Sequence, residues 1–303
     1  MAEALMVGSR LAPETSPEAV IARGFHPERL ARVQAAVQSD IEHGRCHGVA
    51  MRVARGGMTV LDLCEGYADR AAGMPLQRDA VFATMSVAKQ FTNVLALSLV
   101  ERGLLKLHAP VAEVIPEFGT LGKEKVNLYH LLTHTSGIAS SMPAVPVEVL
   151  INNEALVQYA SGLKLESQPG ERVNYSIILG HSIIAGMCQR VDGRGRRFAD
   201  MLREDLFEPL GMRDTSLGPR DDLIKRLCPV RVAYENIPAL LPKEVVEGVG
   251  ALLATPGCEI PAGGCITTID DLHRFAEMLR RGGEMDGVRV LSPAMIAFCA
   301  SVL

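Results

Sequence analysis

The chain has 303 residues, of which 48% are hydrophobic and 22% charged, the proportions of a globular protein with enough material for one large core or two closely packed ones. A formal net charge of −4 and the lack of any Lys/Arg-rich run exclude the basic field of a nucleic-acid-binding protein. No apolar run approaches the ~20 residues of a membrane span, so neither nucleic acid nor membrane is expected as a partner, and a small molecule is.

In chain order, the opening MAEALMVGSRLAPETSPEA places acidic and proline residues where a signal peptide needs a basic start and a continuous apolar stretch. A cytoplasmic location is therefore expected. Seven scattered cysteines (Cys46, Cys64, Cys188, Cys228, Cys258, Cys265 and Cys299) without a C-x-x-C pair agree with a reducing compartment and argue against a cysteine metal site. Leu30, Val33, Val37 and Ile41 form one stripe of a helix over Pro27–His43, with Gly44 as its stop. Two strands, Val49–Arg55 and Met58–Cys64, flank Gly56-Gly57 as a hairpin. The segment Val87–Val100 reads VAKQFTNVLALSLV, apolar almost all round, and predicts a helix buried in the core.

Further helices are predicted over Leu128–Thr133, Glu148–Tyr159 and about Ile177–Val191, so that Ser86 to about Arg203 forms a helical layer. A loop-rich stretch from Pro238 to Gly264 follows. Thr268 caps a helix to Arg281 with Leu272, Phe275, Ala276 and Leu279 inward, Val288–Leu291 is a strand, and Ser292-Pro293 starts a last helix. No internal repeat or flexible linker divides the chain, and one compact unit is expected.

Ser86-Val87-Ala88-Lys89 opens the buried helix, where residues three apart share a face and a nucleophile can meet an amine. Partial desolvation and the positive helix end both favour a neutral lysine able to take the serine proton. The bland alternative is an N-cap serine beside a snorkelling lysine. Chance alone yields about one Ser-x-x-Lys in a chain of this size. Indeed Ser161-Gly162-Leu163-Lys164 repeats the spacing, but Pro169-Gly170 soon ends that segment and no buried helix follows.

His130 and His134 stand at i, i+4 in HLLTHTSG, a spacing that could bind metal, yet Leu131 occupies the place of the glutamate that a zinc protease needs and no third ligand presents itself. A helix end satisfied by local hydroxyls is the alternative. Tyr175 follows the Pro169-Gly170 turn and precedes a helix. It is either a half-buried packing residue or, beside a Ser-Lys pair, a phenol able to relay protons.

The ordered segments FATMSVAKQFT, LLTHTSGI, PGERVNYS, LFEPLGMRDTSLG and PAGGCITTIDDLHRFAEML resemble the serine β-lactamase-related superfamily of class C β-lactamases, DD-peptidases and family VIII carboxylesterases, over about residues 27 to 303. The resemblance implies an α+β fold, β-lactamase/transpeptidase-like, with an antiparallel sheet flanked by helices plus a mainly helical region. Residues 1–85 and 263–303 would form the α/β portion, incomplete at its C-terminus, and 86–262 the helical portion. It implies Ser86 as the acylated nucleophile, Lys89 as its activating partner and Tyr175 as general base and acid, with the Ser86 N–H as one oxyanion donor and no cofactor.

Two departures from the family's pattern shape the expected activity. The β-lactamases carry Tyr-x-Asn, whereas Ile177 stands at the third position here, which favours an esterase. The family's third motif, a Lys-Thr-Gly, His-x-Gly or Trp-Gly-Gly strand, lies downstream of the final helix, where this sequence ends.

A cytoplasmic carboxylesterase or acyltransferase for small esters is therefore expected, with a β-lactamase or DD-peptidase of the same mechanism, or a ligand-binding fragment without turnover, as alternatives. Lower activity, and a sheet completed by a homo-oligomeric partner, are expected if the third motif is missing. Leu240, Leu241, Val245 and Val249 are candidates for an acyl pocket or for the core.

Overall fold

The Gly56-Gly57 hairpin joins the two longest strands in a computed structural model that describes residues 16–233 and 242–302. Helices α1 (Pro17–Ala22) and α2 (Pro27–Glu42) precede β1 (Gly48–Arg55) and β2 (Met58–Asp69), which pair antiparallel with Met51 opposite Leu63 and Arg52 opposite Asp62. Both turn glycines have positive φ, 60° and 83°, a conformation that other residues adopt only under strain. β2 runs beyond the expected Cys64 because its far half pairs with a short β3 (Met74–Pro75), Tyr67 lying opposite Pro75.

Strand alternation divides the hairpin's faces. Val49, Met51 and Val53 join Leu30, Val37 and Ile41 of α2 in a small apolar cluster, while Val33 of the expected stripe is exposed. On the other face Arg52 ion-pairs with Asp62 at 2.9 Å and with Asp270.

The chain continues through β4 (Phe82–Ala83), a 3₁₀ turn at Met85–Val87, and α3 (Ala88–Glu101). Next come α4 (Leu128–Leu132), α5 (Val147–Leu150), α6 (Asn153–Ser161), α7 (Leu179–Val191) and α8 (Phe198–Leu202), the last extended by a π turn over Arg203–Phe207. The single helix expected over Glu148–Tyr159 is two, because the Asn152 side chain accepts from the Ala155 N–H and restarts the helix as an N-cap. The α7 helix begins at Leu179, two residues later than expected.

β5 (Ser216–Leu217), α9 (Asp221–Ile224), α10 (Lys243–Leu253), β6 (Cys265–Thr267), α11 (Ile269–Arg280), β7 (Glu284–Met285), β8 (Val288–Arg289) and α12 (Pro293–Val302) complete the order. α10 corrects the loop expected from Pro238 to Gly264. Its Gly248 and Gly250 lower helix propensity, while Val249, Leu252 and Leu253 at helical spacing bind it to the core. α11 starts at the expected Thr268 cap, whose side chain accepts from the Asp271 N–H. Its inward face is largely the expected one, with Phe275 buried and Leu272 and Leu279 packed against the core, while Met278 is buried in addition and Ala276 is exposed.

All paired strands among the described residues are antiparallel and most helices lie between β4 and β6 in sequence, an α+β fold. α3 is the central core helix. Phe91, Leu95 and Leu99 are almost completely buried, and the Phe91 ring meets Phe207 and Phe275 edge-on at centroid distances of 5.3 and 4.7 Å. β6 lies between β4 and β5, and the carbonyl of Cys265 accepts from both the N–H and the hydroxyl of Thr84, at 3.0 and 2.8 Å. The start of α3 is thereby fixed against the Pro261–Gly264 turn.

Candidate active site

Ser86 lies in the 3₁₀ turn ahead of α3 rather than in the helix itself, and Met85 before it has φ 48°, a left-handed conformation costly for a side-chain-bearing residue. Lys89, in the first turn of α3, is only 4% exposed. Its Nζ is 3.2 Å from Ser86 Oγ and donates to the carbonyls of Ile177 and Ala262, each at 2.9 Å. Burial pulls the Lys89 pKa below its ordinary value against the opposing influence of Tyr175.

The Tyr175 hydroxyl is 2.7 Å from the same Ser86 Oγ, and Lys89 Nζ lies 5.0 Å from the centre of the Tyr175 ring. Burial pushes this phenol up, but the hydrogen bond to Ser86 and the closeness of Lys89 outweigh it and leave the pKa below its usual value. The three side chains selected in the sequence thus meet around one oxygen.

The HLLTHTSG segment brings Tyr175 there through its backbone. The His134 carbonyl accepts from the Asn174 N–H at 2.7 Å, the Thr135 carbonyl from the Gly170 N–H at 2.7 Å, and His134 Nδ1 from the Ser176 N–H at 3.3 Å. Gly137 has φ 75°, and a Cβ there would come within 2.1 Å of the Ser167 carbonyl. The histidines do not form a metal pair: His134 stacks at 4.6 Å on Tyr175 and at 5.6 Å on His181, and among the described residues no group of three or more His, Cys, Asp or Glu is placed to hold a metal. Ser161 donates instead to the Val157 carbonyl at 2.8 Å, and Lys164 is exposed, so the second Ser-x-x-Lys forms no site.

A cavity of about 520 Å³ opens at Ser86, Lys89 and Tyr175. Gln90, Asn93, His134 and His181 give it polar groups, and Leu97, Leu279, Leu291 and Ile296 are among its apolar lining. Of the expected pocket residues, Leu240 and Leu241 lie outside the described residues, Val245 is exposed and Val249 packs against the core. Ile177 also packs against the core and gives the site its carbonyl rather than its side chain.

Sequence reasoning missed the Ile177 and Ala262 carbonyls, because a backbone acceptor leaves no mark on residue type. It also missed Asn93 and His181, which come from different helices and meet only in the folded chain.

The Beta-lactamase family model matches residues 33–295. The esterase/beta-lactamase LipL of Mycobacterium tuberculosis (strain ATCC 25618 / H37Rv) is 28% identical over 307 aligned positions, covering 90% of this chain and 68% of LipL. Esterase EstB of Burkholderia gladioli is 34% identical over 203 residues, 61% of this chain and 50% of EstB. Among solved structures, a penicillin-binding protein homolog from Caulobacter crescentus superposes with a TM-score of 0.74 at 26% identity, covering 89% of this chain and 74% of that one. The chain therefore spans half to about two thirds of these two curated relatives.

Proposed function

The chain belongs to the beta-lactamase family, and from that membership we propose that it is a serine hydrolase cleaving small carboxylic esters through an acyl-enzyme on Ser86. The observation that carries the reading is the convergence of Lys89 Nζ at 3.2 Å and Tyr175 Oη at 2.7 Å on Ser86 Oγ. Lysine ammonium with tyrosine phenolate, and lysine amine with tyrosine phenol, hold the same number of protons and differ only in which of the two carries the shared one, and in either form one of the two is a base facing Ser86. In the amine form the two N–H bonds serve the Ile177 and Ala262 carbonyls and the lone pair faces Ser86.

Ser86 Oγ attacks the ester carbonyl carbon as its proton passes to this pair. The tetrahedral oxyanion lies at the turn that leads into α3, where backbone N–H groups such as that of Ser86 are free to donate to it. Collapse breaks the bond to the alcohol, which leaves with a proton from Tyr175. Water or a second alcohol then attacks the acyl carbon, gives its proton to the same pair, and releases Ser86.

The esterase reading is supported by Ile177, which offers the cavity no side-chain amide, and by the apolar lining beyond Asn93. A β-lactamase or DD-peptidase of the same mechanism is the second reading, favoured by the double name of LipL and by the penicillin-binding protein homolog. Ser86→Ala should abolish the fluorophosphonate adduct seen by intact-mass spectrometry and Ser161→Ala should retain it; an adduct on Ser86→Ala overturns the assignment. Faster turnover of a chromogenic cephalosporin than of a short p-nitrophenyl ester selects the second reading, and stoichiometric labelling without turnover selects a binding protein.

A further inference from the structure

Asn93 and His181 form a polar pair in the wall of the catalytic cavity that the proton relay does not use. His181 is 1% exposed and its Nε2 lies 3.0 Å from Asn93 Oδ1, while its Nδ1 is buried without a hydrogen-bond partner. An orphaned N–H donor costs more than an orphaned acceptor, so the ring proton belongs on Nε2. Nε2–H then donates to Oδ1, which fixes the otherwise ambiguous amide flip and leaves the Asn93 NH₂ group as the donor facing the cavity. Burial, with the nearby Lys89 and His134, holds the ring well below its usual pKa, so it stays neutral and the orientation persists at neutral pH.

Lys89, Gln90, Asn93 and Leu97 line the cavity from one face of α3, with Ser86 in the turn just ahead of it, which gives a bound chain a direction. Asn93 stands about 10 Å along the helix axis from Ser86, and Leu97 lies one turn further. Tyr175 is 45% exposed and, in the proposed mechanism, protonates the leaving alcohol, which places the alcohol toward solvent and the acyl chain along the α3 wall of the cavity.

We propose that Asn93, oriented by His181, is a specificity-determining residue that donates a hydrogen bond to a carbonyl oxygen in mid-chain of the acyl group, so that the preferred substrates are esters of oxo-substituted fatty acids. The inference rests on the ester-hydrolase reading for its substrate, but the recognition itself needs no chemistry at Ser86. The chain beyond the oxo group contacts Leu97, Leu279 and Ile296.

Calorimetric binding of the free acids tests it, using one chain length with a single keto oxygen moved along it and the unsubstituted parent. One keto position should bind about tenfold more tightly than the parent, the yield of one hydrogen bond made inside a cavity. Asn93→Asp keeps the acceptor for His181 and removes the donor, so the ratio of keto-acid to parent-acid affinity, both measured on this variant, should fall to about one. His181→Gln, which frees the amide flip less completely, should reduce it. Equal affinity of keto and parent acids for the unaltered protein, no binding of either, or a preference that survives Asn93→Asp overturns the inference. Fluorophosphonate labelling of Ser86, run in parallel, distinguishes the two failures: no adduct with keto-dependent binding sinks the hydrolase reading alone, and an adduct without keto preference sinks the recognition alone.

Discussion

Replacing Tyr175 by phenylalanine keeps the ring against His134 and removes the hydroxyl that lies 2.7 Å from Ser86 Oγ. The expected result is a kcat for ester hydrolysis lower by ~10²–10⁴ with an unchanged fold, the usual loss for a general acid or base. A change below about tenfold would make Tyr175 a packing residue. Both members of the proposed proton-relaying pair have lowered pKa values, so the base is populated at a lower pH than in a free lysine or tyrosine. The acid limb of the kcat/KM profile should therefore lie below the 10.5 of an unperturbed lysine.

His181 contributes a stability signature of opposite origin. Its folded pKa is depressed well below 6.5, so above that pH neither folded nor unfolded chain binds the proton and there is no penalty. As the pH falls below 6.5 the unfolded chain binds a proton that the folded one does not, and stability is lost by up to about 1.4 kcal/mol per pH unit. Denaturant midpoints at neutral and mildly acid pH should show a steeper loss for the unaltered protein than for His181→Gln. Equal slopes would place the acid sensitivity elsewhere.

At the level of elements, the site depends on turns and caps as much as on the helices that they terminate. Gly137→Ala would set a Cβ 2.1 Å from the Ser167 carbonyl at a φ of 75°, and the strain falls on the segment that holds residues 174 to 176 beside Ser86. The variant should lose more than about 1 kcal/mol of stability. Its folded fraction should also turn over esters more slowly; unchanged kcat would show that the segment does not position Tyr175. Thr268→Ala, which removes only the cap of α11, should cost about 1 kcal/mol with turnover unaffected, read as a small drop in Tm. The paired outcomes separate a turn that aims a side chain from a cap that only stabilises a helix.

Across the whole molecule, the described residues form two apolar clusters, and ion pairs such as that of Arg52 with Asp270 link them. The cluster of α2 and the hairpin reaches α11 through Arg52, 14% exposed, which pairs with Asp62 and Asp270. Arg52→Ala should cost about 2–3 kcal/mol, less than the ~3–5 kcal/mol of a fully orphaned buried charge because Arg78 remains on Asp62. Hydrogen exchange should accelerate in β1 and β2 more than in α3 if the hairpin and α2 open as a unit. Uniform acceleration would show one cooperative core.

Local signals sufficed wherever the physics is local. The amphipathic period of α2, the paired glycines of the hairpin, the all-round apolar α3 and the Thr268 cap are each decided by neighbours within a few residues, and the structure has each of them. The Ser-x-x-Lys spacing needs only helix geometry, so Ser86 and Lys89 were legible as a pair before any fold was known. Tyr175 was singled out by its place after the Pro169-Gly170 turn, but its role rested on the resemblance, because no spacing rule spans the 89 positions from Ser86 to Tyr175. The break at Asn152 is a local cap that competes with helix continuation, whereas the helix α10 across two glycines depended on what it packs against, which overrides propensity. Likewise the carbonyls of Ile177 and Ala262 and the Asn93–His181 pair come from segments far apart in the chain. Only tertiary packing brings such groups within hydrogen-bond range, since burial without a partner costs more free energy than any local preference supplies.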